Sequence, residues 1–126
     1  MPKKINPKII RYVEKTEGKK FIRTPTLVTR KIYGGENEAT VIYNQNGKNK
    51  VTNARVALSP RLAKRGNDWG KVVLVHELRE NLNNQHHDYT ERQVHQKALK
   101  YEKADKTWLH RQGITNTTKF GPVRKR

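Results

Sequence analysis

The chain has 126 residues, 33% of them hydrophobic and 31% charged, and 28 Lys+Arg against 11 Asp+Glu give it a formal net charge of +17. That length fits one domain with a small core, and that charge works against a compact state unless a polyanion meets it, so nucleic acid, RNA or DNA, is the expected partner. Absence of cysteine excludes disulfides, Cys-type zinc knuckles and thiol nucleophiles, and the lack of both a roughly 20-residue apolar run and a secretory h-region leaves an intracellular protein, or one inside a virus particle, as the expectation.

Residues 7–17, "PKIIRYVEKTE", follow an Asn-Pro start and space Ile9, Ile10 and Val13 for a short helix ending near Gly18. "FIRTPTLVTRKIYGG" is β-branched and broken by Pro25, which predicts extended chain or an edge strand. Residues 39–43 and 51–58 read as the arms of a hairpin around the polar "NQNGKNK", with Asn46-Gly47 as its turn signal. "PRLAKRGNDWG" is a loop holding at most one helical turn. Asp68 suits the N-cap of a helix over 70–83 with Leu74, Val75, Leu78 and Leu82 as its apolar stripe. After a polar break at 85–88, Thr90 suits the N-cap of a second helix from about 91 to 106 or beyond, packed through Val94, Ala98, Tyr101 and Trp108. The expected fold class is α+β: a single domain over 1–126 in which the hairpin is packed by these two helices. Basic extensions are expected at about 1–8 and about 113–126. No internal repeat and no Gly-rich phosphate loop is present.

Seven of the eleven acids lie between Asp68 and Asp105, and all five histidines lie between His76 and His110. Within "VVLVHELRE", residues 72–80, His76 and Glu80 stand at i and i+4 and share a helix face directed away from the leucine stripe. That spacing suits two ligands of one zinc ion, with Glu77 between them as the candidate general base. A catalytic zinc site needs a third protein ligand, and His95 on the second helix is the choice. Glu102 lies seven residues further on, roughly 10 Å along the axis, and is expected beside a ligand or in a salt bridge. His86 and His87, in the turn between the helices, are alternatives. An ordinary packing helix also carries such residues, so the motif by itself leaves both readings open.

His76, Glu77, Glu80, Tyr89, His95, Ala98 and Glu102, together with the preceding "RVALSP", form a pattern over roughly residues 54–105. It resembles a group of small phage and archaeal zincin-like proteins. The resemblance implies Zn2+ held by His76, Glu80 and His95, and metallopeptidase activity in an active member. Fold likeness alone does not establish proteolysis.

The basic frame supports a second reading. Lys3, Lys4, Lys8, Lys19, Lys20, Arg30, Lys31, Arg61, Lys64, Arg65, Arg124, Lys125 and Arg126 are expected to neutralise phosphates. Tyr12, Phe21, Tyr33, Trp69 and Trp108 lie near basic residues and either stack on bases or form the core. Two functions therefore stand: a basic zincin-like metal-binding protein with a polyanion-binding surface, or a non-catalytic nucleic-acid-binding structural protein, ribosome-associated or of a virion.

Overall fold

A computed structural model describes residues 3–32, 34–35, 37–44, 47–64, 68–86, 90–115 and 117, with the backbone alone at 42–44 and 47–50. Among them the elements run β1 (Lys3–Lys4), α1 (Pro7–Glu17), β2 (Thr26–Thr29), β3 (Asn37–Asn44), β4 (Gly47–Leu58), α2 (Pro60–Ala63), α3 (Trp69–His86) and α4 (Glu91–Arg111). The class is α+β, as the sequence implied.

The sheet has the order β1-β2-β4-β3. β3 and β4 form the expected antiparallel hairpin, with Val41 opposite Ala54. β4 then pairs in parallel with β2, where Leu27 faces Val56. β2 is therefore flanked on both sides, not an edge, because Lys3 and Lys4 pair with Leu27 and Thr26 on its other side. The N-terminal stretch expected to be a basic extension thus enters the sheet at Lys3, and Ile5 enters the core. β3 is left as the edge next to α3.

Local chemistry explains the helix ends. Asn6 caps α1 by accepting from the Lys8 amide, and Gly18 closes it at φ 72°, a left-handed conformation that glycine adopts without strain. Thr90 and Gln93 form a reciprocal capping box at the start of α4. Gly70 is required by packing: a Cβ there would sit 1.9 Å from the Leu62 carbonyl oxygen, so α2 and α3 approach only at a glycine.

α3 contacts α1, α2, α4, β3 and β4. The predicted stripe of Leu74, Val75, Leu78 and Leu82 is buried, but so are His76, Glu77, Arg79, Asn81, Asn83 and Gln85. The His76/Glu80 face, expected to point away from the leucine stripe, is covered by α4. Buried polar groups call for partners, and among the described residues the Asn83 Oδ1 is the one buried side-chain polar atom without one. Gln85 accepts from the Ile22 and Arg23 amides and donates to the Arg23 carbonyl. Asn81 donates to the Thr40 carbonyl of β3. Arg79, 0% exposed, forms a fork with Asp105 of α4 (3.1 and 2.7 Å) and reaches Glu17 of α1 at 2.8 Å. Lys97 and Asn83 also donate to Glu17. No helix among the described residues is long and apolar enough to cross a membrane.

Burial by itself would raise the Glu17 carboxyl, but hydrogen bonds from Lys97, Arg79 and Asn83 outweigh it and hold the group below the ordinary value of 4.5. A pKa depressed in the folded state contributes stability that is full above the unfolded-state value and is lost as pH falls through the folded-state value. Urea unfolding followed from about pH 5 down to about pH 3 should show stability falling in the wild type. Glu17→Gln should be less stable at neutral pH and show a shallower fall. An unchanged slope would remove Glu17 from the acid response.

Candidate metal centre

His76 and Glu80 share a face of α3 because they are one turn apart, and α4 brings His95 across to them. His76 Nε2 lies 3.0 Å from Glu80 Oε2, and His95 Nδ1 lies 2.6 Å from the same oxygen. The two imidazoles meet edge to face with centroids 5.2 Å apart. One ligand atom from each of His76, Glu80 and His95 falls within 4.8 Å of the others, close enough to hold a metal ion. Two imidazole nitrogens and one carboxylate oxygen are a donor set that zinc uses in catalytic sites, with ligand bonds of about 2.0–2.2 Å.

Glu102 does not join this set. Its carboxylate stands 3.6 Å from the other ring nitrogen of His76, Nδ1. That placement agrees with its expected role beside a ligand: a carboxylate on the Nδ1 side fixes the ring and leaves Nε2 for the ion. Glu77 is buried, 4% exposed, with Oε2 3.9 Å from His76 Nε2. The site is walled on the α3 side and open at His95, whose side chain is 58% exposed, so solvent reaches it from α4.

The charges respond to this crowding. Burial would depress His76, but the hydrogen bond and charge of Glu80, with the charges of Glu77 and Glu102, raise it above its ordinary value. Burial would raise Glu80, yet hydrogen bonds from His76 and His95 hold it low, so it remains a carboxylate. Glu77 goes the other way. Burial first, and then the neighbouring Glu80 charge, push it up to about 7, against opposing effects of His76 and a hydrogen bond with Asn37.

A cleft of about 600 Å³ opens beside the cluster, between β3 (Glu38, Ala39) and the first turn of α4 (Glu91, Arg92), with Glu77, Glu80 and His95 in its wall. Arg30 pairs with Glu38 at its margin.

The other expected residues lie elsewhere. His86 is held by the Lys20 carbonyl at 2.7 Å and takes no part; His87 and Tyr89 fall outside the described residues. Lys3, Lys4, Lys8, Lys20, Arg30, Lys31, Arg61 and Lys64 are exposed and Lys19 is half-buried, spread over several elements rather than gathered at one place; Tyr33, Arg65, Arg124, Lys125 and Arg126 fall outside the described residues. Phe21 and Trp69 are core residues. Asn37, which bonds Glu77, and the ion network of Arg79, Asp105 and Glu17 were not among the expected site residues.

No protein-family model, curated protein or solved structure matches the chain.

If Glu102 orients His76, Glu102→Ala should weaken metal binding by roughly 10–100-fold without abolishing it. His76→Ala should abolish it. Titration of the chelator-stripped variants with zinc separates these outcomes, and equal affinity for Glu102→Ala and wild type would deny Glu102 that role.

Proposed function

We propose that this protein is a zinc-dependent hydrolase of the zincin kind, acting on peptide bonds. The observation that carries this reading is the convergence of His95, from α4, on the Glu80 carboxylate that His76 also faces, with the Glu77 carboxyl beside them. Zinc, when bound, supplies a Lewis acid that acidifies water and polarises a carbonyl. His76, Glu80 and His95 would hold it.

The chain's own residues account for the rest. Glu77 is not one of the three converging ligands and lies within the same wall of the cleft, which supports reading it as the proton acceptor. In hydrolysis the water oxygen bonds to the carbonyl carbon, Glu77 takes the water's proton, and the C–N bond breaks as that proton passes to the leaving amine. The edge strand β3 forms the opposite wall, and an extended peptide can add its backbone to such an edge. Glu38, Glu77, Glu80 and Glu91 line the cleft together with Arg92 and His95, and Arg30 pairs with Glu38 at its margin.

Chelator-stripped protein should take up about one zinc ion per chain, and His95→Ala should take up none. With zinc restored, wild type should cleave fluorogenic peptides from a mixed-sequence set. Glu77→Gln should keep zinc affinity while losing roughly 10²–10⁴-fold in rate. Wild-type protein that binds no zinc, or Glu77→Gln that cleaves as fast as wild type, would contradict the proposal.

A further inference from the structure

A second groove, of about 700 Å³, lies between the outer face of α1 and the last turns of α4. It is well removed from the metal centre: Trp108 in its wall is thirteen residues from His95, about 20 Å along the α4 axis. Lys8, Arg11 and Lys15 line it at i, i+3 and i+7, which places them on one stripe of α1. All three are exposed. Among the described residues none that lines it is acidic, and no carboxylate is ion-paired with any of the three. The two acids of α1 are engaged elsewhere: Glu14 accepts from the Phe21 amide at 2.8 Å, and Glu17 belongs to the Arg79 network.

The same wall carries an aromatic shelf. The rings of Tyr12 and Trp108 are stacked, with centroids 4.1 Å apart and planes 14° from parallel. The Tyr12 hydroxyl donates to Asp105 at 2.7 Å, so the shelf is anchored to the buried ion network and does not have to be ordered by a ligand. Trp108 and Tyr12 are each only partly buried.

Three cations with no ion pair among the described residues, beside a fixed aromatic pair, match one ligand chemistry: phosphates on a strand whose bases are free to stack. From the geometry we infer that this groove binds single-stranded nucleic acid, with Lys8, Arg11 and Lys15 on phosphates and a base against the Tyr12–Trp108 shelf. The three cations span about 10 Å of helix, and a strand carries one phosphate per about 3.4 Å of duplex axis, so the stripe addresses up to about three phosphates. A duplex offers the phosphates but keeps its bases from the shelf. An acidic peptide offers carboxylates and no ring to stack. The inference does not depend on the metal reading, since no metal ligand lines this groove.

The test uses the full chain and a labelled mixed-sequence single-stranded oligonucleotide, read by fluorescence anisotropy across a salt series. Wild type should bind it in preference to the blunt duplex of the same sequence. The surface variant K8Q/R11Q/K15Q should bind at least about tenfold more weakly at low salt, and its plot of log affinity against log salt should be shallower by about 2, from roughly 0.7 per phosphate contact. In W69F, which leaves Trp108 as the one tryptophan, the oligonucleotide should quench fluorescence and inorganic polyphosphate should not. Chelator and His76→Ala should leave oligonucleotide binding unchanged, which separates this outcome from failure of the metal centre. Equal binding by K8Q/R11Q/K15Q and wild type, duplex bound as tightly as single strand, or polyglutamate competing as well as unlabelled oligonucleotide would overturn the inference.

Discussion

Arg79 is a full positive charge held out of water in the middle of α3, and the arrangement of the helices depends on how that charge is met. Removing such a group from solvent costs several kcal/mol, which is offset only by well-placed counter-charges and hydrogen bonds. Here Asp105 supplies a two-point fork from α4, Glu17 a third contact from α1, and the Tyr101 ring lies 4.0 Å below the guanidinium. An apolar seam between two helices tolerates sliding by a turn, because one leucine replaces another. A fork does not. A slip of one turn, about 5.4 Å, would leave Arg79 and Asp105 each buried without its partner. The fork therefore fixes the register of α4 on α3, and that register sets His95 against Glu80 and Glu102 against His76.

This division of labour among the acids connects composition to chemistry. Glu17 and Asp105 are engaged in holding helices together; Glu77, Glu80 and Glu102 gather at the histidines. With so few acids, that concentration leaves the outer face of α1 with cations and no counter-charge from its own carboxylates. One short chain thus presents two distinct surfaces: a cleft lined by carboxylates and His95 at the edge of the sheet, and a basic groove at the far end of α4. The metal centre would sit where desolvation strengthens every electrostatic interaction on its α3 side, while His95 remains open to solvent.

Much of this was legible in the residues. Apolar alternation around a polar turn marked the β3–β4 hairpin; Gly18 and Thr90 marked helix ends by the conformation or hydrogen bond each provides; and the i, i+4 spacing of His76 and Glu80 followed from helical geometry alone. The grouping of His95 with them was expected from ligand number. The enclosure of α3 was not legible, since a helix with Arg79, Asn81, Asn83 and Gln85 along it reads as exposed on one side. Its polar residues are buried because partners from α1, α4 and the 20–23 loop come from distant parts of the chain. The parallel pairing of β2 with β4 was hidden for the same reason, and the pairing of Lys3–Lys4 with β2 was masked by a charge pattern that looks like a solvated tail.

The central claim is that side chains from α3 and α4 form one metal site. Anomalous diffraction at the zinc edge, from crystals of the full chain grown with zinc, tests it most directly. The account predicts a peak at about 2.0–2.2 Å from His76 Nε2, a Glu80 carboxylate oxygen and His95 Nδ1 together, with Glu102 on the Nδ1 side of His76. A map with no peak at these three residues, or with His95 turned away from Glu80, would contradict it.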